Sequence, residues 1–252
     1  WLYCRAAQQH GISGPRDLEL FAVTFRNTPA ARDFFARRQW DFDEVEVAYL
    51  ERWSLQQPGR FPDVLGTDYP ARGEQLLLER SRRQEEAGRL TDALTTAGLL
   101  QKLAPRCRAA HDRLAYLHHR LGDVEQAVQA LVAWHQQHPD DYLPLVRRAV
   151  IEAQSGKHEE RRTTIQLALQ RTRGPLRARV AFLGARLALA SGGLPPPEGN
   201  ASEAEWLLQQ CLRDQPDHTD ALWCLAAVRA LRQDERGLAA LAAVMDRPEV
   251  HD

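Results

Sequence analysis

The sequence predicts an all-α fold, a solenoid of stacked helical hairpins. A glycine recurs every 34 residues at Gly88, Gly122 and Gly156. Prolines follow at intervals of 34 and 36 residues, at Pro105, Pro139 and Pro175. A period of this length is typical of repeated helix–turn–helix units, which bury their apolar faces only by stacking. Alanine, leucine, glutamine, arginine and glutamate dominate, all favour helix, and no alternating strand pattern is present.

The clearest unit spans residues 108–141. Gly122 is expected to end its first helix because glycine tolerates the left-handed conformation, and Pro139 is expected to stop the second. The apolar positions of the two helices are Leu114, Leu117 and Leu121 in the first and Ala127, Leu131 and Trp134 in the second. Their spacing of three and four residues places each set on one helix face.

This unit resembles the tetratricopeptide repeat. The residues that carry the resemblance are Leu114, Ala115, Gly122, Asp123, Ala127, Leu131 and Pro139. Residues 74–107 and 142–175 match the same pattern. The family has a small residue where Arg161 stands, so we expect this long side chain to reach out to solvent. The resemblance implies a right-handed α-α superhelix in which the first helix of each hairpin lines an inner groove.

About five hairpins are expected over residues 74–252, with an insertion at 192–200. After the insertion, Ser202 followed by Glu205 is typical of a capping box and predicts a helix start. Residues 219–248 supply the last hairpin.

The first 73 residues match less well, and we interpret residues 1–73 as a degenerate helical-hairpin region. Helices are expected at residues 1–10, 16–25, 30–39 and 40–58. Residues 61–73 contain Pro62, Pro70 and two glycines, so we expect a loop that joins this region to the clear repeats.

Charge and motifs exclude several functions. The formal net charge of −1 favours neither nucleic acid nor membrane, and no apolar run is long enough to cross a bilayer. The sequence has no glycine-rich phosphate loop, G-x-S-x-G or H-E-x-x-H motif, so we expect no enzyme activity and no cofactor. Its cysteines form no CxxC pair, and we interpret His135 and His138 as a solvated helix end. No metal site is therefore expected.

The predicted function is a protein-interaction scaffold that binds a peptide or helix of a partner in the groove. By the family resemblance, the candidate groove residues are Arg82, Glu85, Asp112, Tyr116, His119, Arg120, Val146, Val150 and Val180. They are basic and aromatic at one end and apolar further along, which suits one acidic and one apolar anchor. A subtype of the family binds chaperone carboxylates through lysines and asparagines. Asp112 and Tyr116 stand at those places, so that activity is not expected.

Two other hypotheses stay open. The chain begins at Trp1 without a methionine, so we expect part of a longer protein, and the solenoid would then be a regulatory or positioning segment of a larger enzyme or of a secretion or assembly machine. Alternatively, an enzyme would act through the loop at 61–73 or at 192–200, which requires a pocket with perturbed titratable groups. Oligomeric state and location are left open, with the cytoplasm favoured.

Overall fold

A computed structural model describes residues 29–38, 41–62, 69–191 and 197–232. Every regular element in these ranges is an α-helix, which confirms the predicted all-α class. The helices are α1 (Pro29–Arg38), α2 (Phe42–Gln56), α3 (Tyr69–Glu86), α4 (Leu90–Leu103), α5 (Arg108–Arg120), α6 (Val124–Gln137), α7 (Leu143–Gln154), α8 (His158–Arg171), α9 (Gly174–Ala190), α10 (Glu198–Asp214) and α11 (Thr219–Leu231). The helices expected at 1–10 and 16–25, and the last helix of 219–248, lie outside the described residues.

The chain forms two compact units, residues 1–121 and 122–252. This division reflects which parts of the chain pack together. The distinction between a degenerate region at 1–73 and clear repeats at 74–252 rests on sequence similarity and stays a prediction.

The periodic glycines end helices as the sequence predicts. Gly88, Gly122 and Gly156 have φ angles of +76°, +84° and +72°, in the left-handed region that glycine favours. After Gly88, the Arg89 amide donates to the Gln84 carbonyl over 2.8 Å, which is the long bond of a Schellman motif. Each glycine is therefore required by a three-residue turn between two helices.

The first unit packs α3 against α4, with α2 against α4 and α5 beside α3 and α4. Its buried apolar core consists of Val47, Leu50, Phe61, Tyr69, Leu76, Leu77, Leu99, Leu100, Leu103 and Ala110. Residues of α2, α3, α4 and α5 thus share one core, and α5 lies beside α3.

The last part of the loop predicted at residues 61–73 is helical, because α3 begins at Tyr69. Pro70 stands in the first turn, where an amide has no helical partner to lose. Gly73 lies inside α3 against Phe61. A Cβ atom at Gly73 would stand 2.5 Å from Phe61 Cε1, so glycine permits this close approach. The prediction of a loop is wrong over residues 69–73.

The second unit contains the hairpins α7–α8 and α9–α10, with α6 packed on α7 and α11 on α10. Small residues dominate its core, since eight alanines of α7 to α11 are fully buried: Ala149, Ala168, Ala178, Ala181, Ala185, Ala188, Ala204 and Ala221. Alanine at facing positions lets helix axes approach closely. Ala127 of α6 is also fully buried, as expected.

Helix α10 begins earlier than predicted. It starts at Glu198 after Pro197, which has an extended backbone and no side-chain cap. Ser202 therefore lies inside the helix, and the predicted capping box is wrong. Asn200 at the end of the expected insertion also belongs to α10.

Arg161 does not reach solvent, and that expectation is wrong. Its side chain is fully buried in α8, and Arg161 Nη2 donates to Glu203 Oε2 of α10 over 2.6 Å. Arg162 Nη2 contacts the same oxygen over 3.2 Å. A buried guanidinium is tolerated when a carboxylate pairs with it in the interior. The long side chain thus joins two helices where the family has a small residue.

Candidate functional site

The candidate site is a cluster of charged and aromatic side chains on α3 and α5, which are first helices of successive hairpins. Glu85 stands one residue before the end of α3. Arg113, Tyr116 and Arg120 of α5 are spaced three and four residues apart, so they share one helix face. We call these four residues the Glu85 cluster.

The Glu85 carboxylate accepts hydrogen bonds from three side chains of α5. The Tyr116 hydroxyl donates to Glu85 Oε1 over 2.7 Å, and Arg120 Nη1 donates to the same oxygen over 3.1 Å. Arg113 Nη1 donates to Glu85 Oε2 over 2.6 Å. Arg120 Nη1 also donates to the Tyr116 hydroxyl over 2.7 Å. The four groups are thus held in one connected network.

Arg113 fixes this network to the helices beneath it. Its Nε donates to Ser81 Oγ over 2.9 Å, and its Nη2 donates to the Ser81 carbonyl over 2.8 Å. Ser81 Oγ in turn donates to the Ala93 carbonyl of α4 over 3.0 Å. Only 11 % of the Arg113 side chain is exposed. Arg113 was not among the residues predicted from the sequence, although its spacing of three and seven residues from Tyr116 and Arg120 places it on the same helix face.

The outer part of the cluster faces solvent. Tyr116 is 39 % exposed and the Arg120 side chain 50 % exposed. The guanidinium carbons of Arg113 and Arg120 lie 5.6 Å and 5.8 Å from the centre of the Tyr116 ring, which is within the range of a cation–π contact. An exposed aromatic ring is therefore in contact with one largely buried and one exposed cation.

The cluster keeps Glu85 ionised. The hydrogen bond from Tyr116 lowers the pKa of Glu85 below its ordinary value of 4.5, burial opposes this shift, and Arg113 and Arg120 add to the lowering. Two guanidinium groups and one carboxylate leave the cluster with an excess of one positive charge at neutral pH. The site can therefore attract an anionic group.

The other predicted groove residues lie outside the Glu85 cluster as defined above. Arg82 is exposed on α3, and Asp112 and His119 are half-buried on α5. In the second unit, Val146 and Val150 are half-buried on α7. Val180 of α9 is only 2 % exposed and belongs to the core. A side chain so deeply buried cannot contact a partner, so Val180 is left out of the proposed surface.

Metal-ligand clusters and membrane-spanning helices are both absent from the described residues. Among the described residues, no group of three or more histidine, cysteine, aspartate or glutamate side chains is placed to hold a metal ion. In the same part of the chain, no helix combines the length and apolar character needed to cross a membrane. Burial raises the pKa of the Cys211 thiol to about 11, so this cysteine is a poor nucleophile or ligand.

Comparison with known proteins identifies the fold. No model of a known protein family matches the sequence, and the comparison with curated proteins gives no match. Among solved structures, MamA from Desulfovibrio magneticus RS-1 superimposes with a TM-score of 0.53 and 14 % identity over 71 % of this chain and 97 % of that one. PilF from Pseudomonas aeruginosa superimposes with a TM-score of 0.50 and 13 % identity, over 70 % of this chain and 78 % of that one. Both are tetratricopeptide-repeat proteins. By fold, this chain is a tetratricopeptide-like protein.

Proposed function

We propose that this chain is a protein-interaction scaffold and that the exposed side of the Glu85 cluster binds a peptide or helix of a partner protein. The observation that supports the proposal is the exposed pair of Tyr116 and Arg120, held in place by Glu85. Tyrosine and arginine are the residue types that are enriched among binding hot spots. Because the network already fixes both side chains, little rotamer freedom is lost when a partner binds.

The chemistry of the cluster suggests which group it accepts. Arg120 uses Nη1 for its bonds to Glu85 and Tyr116, while a guanidinium carries five N–H donors in all. The remaining donors, on Nη2 and Nε, are suited to bind a second carboxylate. The excess positive charge of the cluster also favours a carboxylate as the ligand. The Tyr116 ring beside Arg120 offers apolar contact area. A partner segment with an acidic side chain next to an apolar one fits this pair.

The remaining predicted residues extend the proposal. Arg82, Asp112 and His119 lie on the same two helices as the cluster and are proposed to contact flanking parts of the partner. Val146 and Val150 belong to the second unit and are proposed to contact apolar side chains of a partner there. These assignments come from the family resemblance and from the exposure of each side chain.

The test begins with affinity capture by the intact chain and identification of the partner by mass spectrometry. The partner is then titrated against wild type and against the double variant Tyr116→Ala, Arg120→Ala. We expect binding to weaken by about 2 kcal/mol or more, which is roughly 30-fold. Lys102→Ala is the matched control, because Lys102 is exposed on the second helix α4.

Circular dichroism checks that the double variant is folded. A folded double variant that binds with unchanged affinity would contradict the proposal and would move the interface away from α3 and α5. Equal weakening by Lys102→Ala would do the same.

A further inference from the structure

The second unit has its own solvent-facing surface on α7 and α9, which pack against one another. In α9, Leu176, Arg179, Leu183 and Arg186 follow at spacings of three, four and three residues, so they form one stripe along the helix. In α7, Leu143 and Val150 are seven residues apart and also share a face. We call these six residues the Leu-Arg face.

The four aliphatic side chains of the Leu-Arg face are accessible to solvent. Leu143 is 43 % exposed and Leu176 41 % exposed, and Val150 and Leu183 are half-buried. None of these four belongs to the buried core of the second unit, which consists of other residues of the same helices. A folded protein exposes large aliphatic side chains singly, whereas a contiguous set marks a contact surface.

The charge of this face has one sign. Arg179 and Arg186 are exposed, and within the described residues neither makes an ion pair. Helix α9 contains no acidic residue. The one acid of α7 is Glu152, which is 1 % exposed and accepts from Arg148 Nε over 2.6 Å. No carboxylate of either helix is therefore placed to neutralise the two exposed arginines.

We propose that the Leu-Arg face binds an acidic amphipathic segment of a partner protein, with leucine-type side chains against Leu143, Leu176 and Leu183 and carboxylates against Arg179 and Arg186. Complementary charge is the argument for this occupant, since arginine pairs with carboxylates in a forked geometry. Single-stranded nucleic acid would need aromatic rings for its bases, and the six residues include none. This inference rests on the proposed scaffold function and adds the chemistry of the partner for the second unit.

The probe is a synthetic amphipathic peptide with leucines on one helical face, flanking glutamates and alanine elsewhere. Its twin carries lysine for every glutamate. We expect the glutamate peptide to bind the intact chain with an affinity that falls as salt rises, and the lysine twin not to bind. The double variant Arg179→Glu, Arg186→Glu should bind the glutamate peptide at least about tenfold more weakly and should gain binding to the lysine twin.

The matched control is Arg171→Glu, Arg213→Glu, which reverses two exposed arginines on the second helices α8 and α10 and should leave binding unchanged. Leu143→Ser with Leu176→Ser should weaken binding while the salt dependence is retained. Circular dichroism confirms folding for each variant.

Several results would overturn the inference. One is a glutamate peptide that fails to bind, and another is equal loss in the control variant. A third is retention of the peptide by Arg179→Glu, Arg186→Glu. Binding to phosphatidylserine vesicles or to polyuridylate that depends on these arginines, without peptide binding, would assign the face to a membrane or to RNA instead. If the Tyr116 and Arg120 variant still loses its partner, this inference fails alone and the scaffold function stands.

Discussion

Arg161 and Glu203 form a buried ion pair between helices α8 and α10, with Arg161 Nη2 2.6 Å from Glu203 Oε2. Arg161 is fully buried and the Glu203 side chain 10 % exposed. Arg162 approaches the same carboxylate from a position that is 36 % exposed. Glu203 thus forms ion pairs with one buried and one partly exposed arginine.

The internal arginine should matter far more for stability than the peripheral one. We expect Arg161→Ala to lower the free energy of unfolding by about 3 kcal/mol, because it leaves a cavity and removes the interior partner of Glu203. Arg162→Ala should cost less than about 1 kcal/mol, since its contact is partly exposed. Urea unfolding of the two variants measures the difference. Equal losses would show that the pair does not act as a buried one.

The Glu85 cluster predicts a pH-dependent contribution to stability. Because the folded-state pKa of Glu85 is lowered, its stabilisation is fully present above its ordinary value of 4.5 and is lost as the pH falls through the lowered value. Glu85→Gln should therefore be less stable than wild type at neutral pH, and the gap should close as the pH falls below 4.5. Urea unfolding across this range tests it. A gap that is constant with pH would contradict the assignment.

Tyr116→Phe is the finer control for that experiment. It removes the hydroxyl that contributes most to the lowered pKa of Glu85 and keeps the ring. The acid-dependent loss of stability should then be smaller than in wild type and should be complete at a higher pH, because the folded-state pKa of Glu85 lies closer to its ordinary value. An unchanged acid profile would show that Tyr116 does not influence Glu85.

Two glycines inside helices should respond in opposite directions to alanine. Gly73→Ala places a Cβ 2.5 Å from Phe61 Cε1, and Phe61 is buried against Tyr69, so we expect a loss of about 1–3 kcal/mol from overpacking. In Gly98→Ala of α4, the new Cβ atom has no neighbour within 4 Å. The free energy of unfolding should rise by about 1 kcal/mol, because alanine has the higher helix propensity. Thermal unfolding compares them. A gain for both would mean that Phe61 moves aside freely.

Ala127 tests which face of helix α6 is buried. Ala127→Arg at this fully buried position should cost about 3 kcal/mol through overpacking and burial of a charge. Gln129→Arg, two residues on in the same helix and exposed, should change stability little. If Ala127→Arg unfolds at the same denaturant concentration as wild type, the assignment of Ala127 to the buried face of α6 is wrong.

Local features of the fold were predictable from sequence. Gly88, Gly122 and Gly156 each end a helix because the left-handed backbone is a requirement of one residue. Apolar spacing located Ala127 and Leu131 in the interior, because periodicity within a helix follows from its geometry. The starts of α3 and α10 were misplaced, since proline and glycine were interpreted as loop residues and both are tolerated in a first turn.

Long-range pairing could not be predicted. Glu203 lies 42 residues after Arg161, and Arg113 lies 28 residues after Glu85. No local spacing relates such positions, so Arg161 was expected at the surface and Arg113 was missed. Tyr116 and Arg120 were recognised because they lie one turn apart on a helix that the repeat had already identified. Their hydrogen bonds to Glu85 could not be predicted, because they depend on the packing of α3 beside α5.

The packing of α2 determines how far the chain can be shortened. Val47 and Leu50 of α2, with Phe61 and Tyr69, complete the core around Leu77 and Leu100. A fragment that begins at residue 74 would keep the clear repeats but would leave that apolar side open to water. Repeat arrays stay soluble only when their exposed apolar faces are covered by an element with a polar outer face. In the first unit α2 covers this apolar side, so removing it should produce aggregation rather than a smaller soluble protein.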